Sequence, residues 1–268
     1  MPIPERVQSA TGLAVLGGAE TLSLTGCTAG NLIIVQSVTD DNGFCNHNSI
    51  VNIENLAGTD NALTNDPSGS RYQIGSPTAA GQQYVQYGRV IANGTVSVDI
   101  ASGGTEDVFA TIHELRNVAQ GTAWTDIATA TPAQSQADTT TIAASNVAST
   151  PMSDCLAIAF VGVNINNALG PFTGSGGTSG ATYAEDFEFS SGLGTAAAVQ
   201  LQTAAMTTQG TLTGGSYVMG SAASWGCISG FALIPYLDPQ IQSRVPMPMF
   251  AVPDQDRIMR MQGRTLGS

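Results

Sequence analysis

The two histidines are the first side chains to consider for chemistry, because they are the only ones in the sequence. In Cys45-Asn46-His47 the spacing would supply two zinc ligands, but no second pair of ligands stands at metal-site spacing. His113 lies beside Glu114 in a segment, residues 107–118, with the alternation of a strand. Its apolar positions fall on the opposite face from the histidine. We therefore predict a solvent-facing or interface histidine and not a catalytic base.

Acidic residues form two short groups. Asp186 and Glu188 are two positions apart, so a strand would place them on one face, and glycosidases use two carboxyl groups about 5–10 Å apart. An acidic, solvated strand face is the commoner explanation. Asp40 and Asp41 lie in TDDNG, residues 39–43, which resembles part of a calcium loop but lacks the alternating acids and the closing Glu. A type I turn explains TDDNG equally well, so calcium stays open.

Other catalytic motifs are missing from the sequence. There is no lysine, which excludes a P-loop and a Schiff base. GSGGTSG, residues 174–180, approaches a nucleophile motif in letters but not in its setting between a strand and a helix. Trp124 and Trp225 would suit either a sugar site or a core. We predict a protein without enzymatic activity, cofactor or metal, and keep a glycoside hydrolase as an alternative.

Charge is sparse and unevenly placed. Only 10% of the 268 residues are charged, against about a quarter in typical domains, and the net charge is −12. Residues 1–237 carry 17 acids and four arginines, a net charge of −13, whereas residues 238–268 have a net charge of +1. Since an acidic body repels nucleic acid and anionic membranes, neither is an expected partner. The sequence has no signal region and no 18-residue apolar run, so it gives no indication of Sec export or of a membrane span.

The four cysteines are far apart, without a Cys-x-x-Cys pair. We interpret Cys27, Cys45, Cys155 and Cys227 as small buried residues of strands. A disulfide between two of them stays open.

Short strands with small-residue turns account for the body. Residues 30–38 (GNLIIVQSV) form a continuous apolar run, as in a buried strand, and residues 95–101 (TVSVDIA) alternate. Asn93-Gly94 between residues 83–91 and 95–101 predicts a hairpin. Residues 107–118, 155–165, 181–190 and 224–237 continue the series of strands, and residues 124–151 predict short edge strands. No sequence repeat of fixed period and no helical pattern of useful length is visible.

These elements predict an all-β fold, an antiparallel β-sandwich that is jelly-roll-like, with an extended C-terminal arm. The predicted organisation is an N-terminal segment at residues 1–19, the sandwich at 20–237 and the arm at 238–268. Prolines 239, 246, 248 and 253 favour an extended course for the arm. A short helix is indicated after Pro253, and it would need a surface on which to lie.

Four stretches together resemble a β-sandwich domain of structural proteins from tailed bacteriophages. They are residues 30–35 (GNLIIV), 94–98 (GTVSV), 112–118 (IHELRNV) and 225–235 (WGCISGFALIP), and the resemblance covers residues 20–237. It implies a virion component and carries over no catalytic residue.

The expected function is therefore a phage virion structural protein, most of all a capsid-decorating (cement) or minor capsid protein. A tail or fibre protein that binds a host glycan is an alternative. The expected partners are the major capsid protein or other virion proteins, with homo-oligomerisation, as a trimer, on the shell. The residues expected to contact the partner all lie in the arm: Pro246, Met247, Pro248, Met249, Phe250, Arg257, Ile258, Arg260, Met261 and Arg264.

Overall fold

The computed structural model describes about three fifths of the chain, and every structural statement below concerns those residues. Contacts group Met1–Tyr236 into one compact unit, whereas the second unit, Leu237–Ser268, lies outside the described residues. The described residues are 2–15, 17–39, 45–54, 61, 63–65, 71–74, 81–102, 107–119, 133–135, 139–143, 150, 152–163, 169–173, 180–190, 198–212, 216–223, 226–233 and 235.

Eighteen strands and no helix occur in these ranges, and all the strand pairs are antiparallel. The prediction of an all-β antiparallel sandwich is thereby confirmed. The strands are β1 (Glu5–Ala14), β2 (Ala19–Cys27), β3 (Leu32–Thr39), β4 (Cys45–Val51), β5 (Ile53–Glu54), β6 (Thr64–Asn65), β7 (Arg71–Ile74), β8 (Gly81–Val90), β9 (Gly94–Ser102), β10 (Val108–Arg116), β11 (Ala133–Ser135), β12 (Thr139–Ala143), β13 (Cys155–Val163), β14 (Leu169–Thr173), β15 (Ala184–Ser190), β16 (Ala198–Met206), β17 (Ser216–Ala223) and β18 (Gly226–Leu233).

The first ten strands form two sheets. Inner sheet 1 has the order β1-β10-β3-β8-β5, with β6 and β7 also paired to β8, and outer sheet 1 has the order β2-β9-β4. We call these ten strands the first sandwich. The N-terminal segment contributes β1, which pairs with β10 along its length.

The last eight strands repeat this arrangement. Inner sheet 2 has the order β11-β18-β13-β16-β15 and outer sheet 2 the order β12-β17-β14. Each order matches that of the corresponding sheet of the first sandwich, except that β6 and β7 have no counterpart among the described strands. Consecutive strands change sheets except along β5–β8 and from β15 to β16, and the resulting strand order is that of the interleaved Greek keys of a jelly roll. The short strands predicted within residues 124–151 are present as β11 and β12, each at a sheet edge.

Strand register also repeats between the two sandwiches. Leu32 of β3 pairs with Leu115 of β10, and Leu156 of β13 pairs with Leu233 of β18. Each ladder contains eight successive pairs, counting this leucine pair, and has no register shift. The two halves therefore share a topology and a register although the sequence has no repeat of fixed period.

The first sandwich closes around its own core. Val96, Val98 and Ile100 of β9 are buried on one face, while Ser97 and Asp99 lie on the other, as the alternation predicted. Inner sheet 1 supplies the facing residues of this cluster, which are Ile33, Val35, Ile53, Val90, Val108, Ala110 and Ile112.

A second core joins the two inner sheets face to face, and we call this contact the seam. Its cluster takes residues from both sandwiches: Leu32, Ile34, Val85, Tyr87 and Leu115 from the first, and Leu156, Ile158, Phe160, Leu201 and Leu233 from the second. Because both faces of inner sheet 1 are covered, every residue of β3 is buried, as predicted for residues 30–38. All nine residues of β13 are buried as well.

The hairpin predicted at Asn93-Gly94 is wrong. β8 belongs to inner sheet 1 and β9 to outer sheet 1, so the connection at residues 91–93 crosses between sheets. Gly94 has φ 145°, outside the left-handed helical region that a type I′ turn requires. Asn52 holds the crossing instead: its Nδ2 donates to Ala92 O (2.8 Å) and its Oδ1 accepts from Ala92 N–H (2.9 Å).

Candidate interaction site at the seam

Two β-bulges meet at one end of the seam. In β1 the register shifts between Arg6 and Gln8, and in β15 it shifts between Glu185 and Phe187. Both are edge strands, one in each sandwich. An extra residue in one strand locally redirects the side chains beside it. Here the two bulges bring Arg6 and Asp186 together.

Arg6 binds Asp186 through a bidentate ion pair across the seam. Nε lies 2.7 Å from Oδ2 and Nη2 lies 2.8 Å from Oδ1, and Nη2 also donates to the main-chain oxygen of Asp186 at 2.8 Å. The bond to Asp186 and its charge raise the pKa of the Arg6 guanidinium, although burial opposes the shift. The guanidinium carbon also lies 5.7 Å from the centre of the Phe187 ring, within cation–π range.

The ion pair continues into a chain of hydrogen bonds that leads to the buried His113. Arg6 Nη1 donates to Ser9 Oγ (2.9 Å), and Ser9 Oγ lies 2.9 Å from His113 Nδ1. The other ring nitrogen of His113, Nε2, lies 3.0 Å from Thr111 Oγ1. Since Ser9 Oγ accepts from Arg6, it can donate its own proton to Nδ1, which leaves the imidazole proton on Nε2 for Thr111.

The solvent-facing alternative for His113 is wrong, because the side chain is fully buried at the interface between the two sandwiches. The alternation correctly placed it on the face opposite Val108 and Ala110. However, that face meets inner sheet 2 and not water. The Phe187 ring contacts the imidazole edge-to-face, with centroids 5.2 Å apart. Burial, assisted by the charge of Arg6 and opposed by Asp186, lowers the pKa of His113 to about 3, so the ring is neutral.

Glu114, the neighbour of His113, accepts hydrogen bonds from three residues near the beginning of the chain. Its carboxylate accepts hydrogen bonds from Gln8 Nε2 (2.5 Å), Thr28 N–H (3.0 Å) and Asn31 Nδ2 (2.7 Å). Burial alone would raise the pKa of Glu114, but these hydrogen bonds outweigh it and hold the pKa below its usual value. The adjacent His113 points to the opposite face of β10, so the two residues form no catalytic pair.

A groove of about 630 Å³ opens beside the Arg6–Asp186 pair. One wall is the start of the chain and the other is formed by β13 and β16, so the groove lies across the seam. Its lining is Pro2, Ile3, Pro4, Glu5, Arg6, Asn117, Leu156, Asp186, Thr203 and Ala205. Half of these lining residues are apolar and half are polar or charged, a mixture that suits protein contact better than small-molecule chemistry.

Two glutamine side chains add hydrogen bonds across the seam. Gln36 Nε2 donates to Val161 O of β13 (3.0 Å) and to Gln83 Oε1 (3.0 Å), and Gln83 Nε2 donates to Phe160 O (3.4 Å). Both side chains are fully buried. The inner sheets are therefore held by directed hydrogen bonds as well as by apolar packing.

The predicted pairing of Asp186 with Glu188 on one face is wrong. The bulge in β15 interrupts the alternation on which that prediction rested: Asp186 turns into the groove beside Thr203, whereas Glu188 lies opposite Gln200. Gln200 Nε2 donates to the carboxylate of Glu185 at 2.9 Å. The ion pair with Arg6 further occupies both oxygens of Asp186, which does not suit a hydrolytic pair.

His47 is held between two polar neighbours. Its Nε2 lies 2.7 Å from Ser37 Oγ and its Nδ1 lies 2.7 Å from Gln86 Oε1. Burial lowers the pKa of His47 to about 4, although the hydrogen bond to Gln86 opposes the shift. The described residues contain no group of three His, Cys, Asp or Glu side chains close enough to hold a metal ion. The side chain of Cys45 and the Asp40-Asp41 loop lie outside the described residues.

Two of the cysteines are free buried thiols, as predicted for small core residues. Burial raises the pKa of both Cys27 and Cys155 to about 11, so each stays protonated near neutral pH. The side chains of Cys45 and Cys227 lie outside the described residues.

The ten arm residues predicted to contact a partner, between Pro246 and Arg264, also lie outside the described residues, as do Trp124 and Trp225. The sequence did not single out Arg6. The signal available for it was its rarity, since it is one of only four arginines in residues 1–237.

Comparison with known proteins adds no relative: no protein-family model, curated protein or solved structure matches this chain. In the part of the chain that the structure describes, no helix is long and apolar enough to cross a membrane. The fold and the seam contacts therefore carry the functional argument.

Proposed function

We propose that this chain is a bacteriophage virion structural protein, a capsid-decorating (cement) or minor capsid protein. The observation that carries the proposal is the pair of jelly-roll sandwiches joined through their inner sheets. Jelly rolls build viral capsid and lectin domains, in which the fold serves as a rigid module for assembly or binding. The motif resemblance to tailed-phage proteins supports the virion in preference to other settings.

The side chains with catalytic potential support a non-enzymatic role. His113 and His47 are neutral and hydrogen-bonded on both ring nitrogens. Asp186 is committed to Arg6, and Glu114 to three donors. Each of these described groups has partners within the fold, which supports a binding role in preference to catalysis.

The arm, residues 238–268, is the proposed contact to the shell. Its Pro and Met residues offer apolar contacts, and Arg257, Arg260 and Arg264 offer bidentate pairs to carboxylates. The partner is the major capsid protein or another virion protein, with a homotrimer as the decorating unit. Many copies on one particle make weak individual contacts additive. The body, with a net charge of −13, suits the outside of a shell better than a lumen filled with DNA.

Deleting residues 245–268 tests this function. The truncated chain should keep the far-UV and near-UV circular dichroism of the full chain and fail to bind purified particles in a co-sedimentation assay. The variant Arg71→Gln, which removes one positive charge outside the arm, is a control that should bind normally. Normal coating of particles by the truncated chain, or absence of the intact chain from purified particles, would show the proposal to be wrong.

Binding of a host-surface glycan by a tail or fibre protein is the second candidate. It is favoured by one observation: the exposed face of outer sheet 1 carries hydroxyl and carboxylate groups, including Thr21 Oγ1, which donates to Asp99 Oδ1 at 2.5 Å. Jelly rolls also serve as lectins. A glycan array distinguishes the two functions, because specific glycan binding that survives deletion of residues 245–268 supports only the second.

A further inference from the structure

We infer that the seam is a protein–protein interface between the two sandwiches, and that the second sandwich binds the first without needing the chain that connects them. The inference concerns the described strands and is independent of the proposed function. The first sandwich has a complete two-sheet core of its own. The second repeats its strand order and register.

Backbone pairing stays within each sandwich. No strand among β1–β10 pairs with any strand among β11–β18, and one isolated bridge, Val118 to Pro235, links the described parts of the two halves. Here side chains carry the association, as they do between subunits.

The composition of the seam is that of a protein interface. Its centre is apolar, with Phe160 and Leu201 among the residues that pack against inner sheet 1. Directed hydrogen bonds from Gln36 and Gln83 lie within it, and the partly exposed Arg6–Asp186 pair lies at its edge. An apolar centre with a polar rim and scattered hydrogen bonds is the usual anatomy of such contacts.

The partner that this face of inner sheet 1 fits is therefore another jelly-roll inner sheet with a carboxylate on a bulged edge strand. The Arg6–Asp186 pair is its specificity-determining contact. A bidentate arginine–carboxylate pair demands both a charge and an orientation, which a register-shifted or inverted partner would not satisfy.

Cleavage of the connection tests the inference in the full chain. A site for a specific protease is inserted after residue 125, and the intact and cut proteins are compared by size-exclusion chromatography and near-UV circular dichroism. We expect the cut halves to separate on a denaturing gel, to co-elute under native conditions and to keep the near-UV signal. Separate elution of the halves, or loss of the near-UV signal on cutting, would overturn the inference.

Charge reversal tests the specificity. In the cut protein, Arg6→Asp or Asp186→Arg should weaken association of the halves about tenfold, or about 1.4 kcal/mol, and the double reversal should restore most of it. Arg116→Asp is the matched control, because Arg116 pairs with Glu5 within the first sandwich, more than half exposed. Should a reversal prevent folding, Asp186→Asn keeps the shape and removes the charge. Association as tight as that of the control variant in every case would exclude a role for the pair.

Discussion

The two inner sheets pack closely at Gly162, and an added methyl group there should weaken the fold measurably. A Cβ at Gly162 would lie 2.6 Å from Val38 Cγ2 and 2.6 Å from Gln83 Oε1, distances that real Cβ atoms do not show. Gln83 cannot move freely, since its oxygen accepts a hydrogen bond from Gln36. Gly162→Ala should therefore lower the free energy of unfolding by about 1–3 kcal/mol, as overpacking of a core does.

The compensating change is Val38→Ala, which removes the methyl group that the new Cβ would strike. Alone it should cost about 2 kcal/mol, for two buried methyl groups at about 0.8 kcal/mol each plus a small cavity. In the double variant the methyl of Ala at position 162 occupies part of that cavity. The combined loss should therefore be smaller than the sum of the two by about 1 kcal/mol or more.

Urea unfolding followed by circular dichroism measures all three variants. Ala205→Val is the control, because Ala205 is exposed and added methyl groups there should change the free energy of unfolding by less than about 0.5 kcal/mol. The packing of the seam as described here would be refuted if Gly162→Ala unfolded like the control, or if the losses of Gly162→Ala and Val38→Ala were simply additive.

Three further predictions follow from individual residues. The pKa values of His113 and His47 are lowered to about 3 and 4, so both rings should be neutral in the folded chain. Their imidazole signals in NMR should not titrate between pH 8 and 5. The unfolded chain takes up protons below its ordinary histidine pKa, so stability should fall from about pH 6.5 towards pH 4; an unchanged urea midpoint over that range would contradict this. With pKa values of about 11, Cys27 and Cys155 should resist alkylation at pH 7.5 until urea is added, and peptide mass spectrometry would identify any early labelling that contradicts it. Asn52 has φ 60° and holds the crossing between sheets, so Asn52→Ala should cost more stability than Asn52→Gly, which tolerates that backbone angle; equal thermal midpoints would show that the angle contributes nothing.

About half of the strands were predictable, because those strands have a clear local pattern. The alternation at Val96, Val98 and Ile100 and the apolar run at residues 30–38 both appear as strands with the expected burial. β16 was missed, since its glutamines and alanines suggest no buried strand until outer sheet 2 covers them. The Asn93-Gly94 signal failed for the opposite reason: it describes a local turn, whereas the sheet to which each flanking strand belongs is decided by distant partners.

Of the candidate site, the sequence supplied the residue types but not their arrangement. Asp186 was noted as an acid, yet its partner Arg6 is 180 residues away and reaches it only because two bulges coincide. His113 was placed on the correct face of its strand. Whether that face met water or protein depended on inner sheet 2.

The sequence alone therefore determined that this chain is an all-β protein with an acidic, lysine-free body and a proline-rich arm of opposite net charge, because composition and short-range periodicity suffice for those properties. Only the tertiary structure decided that the body is two sandwiches of one topology. Strand order and register come from contacts between residues far apart in the chain, and two sequences without a visible repeat satisfy the same contacts. The seam, the burial of His113 and the Arg6–Asp186 pair all follow from that long-range pairing.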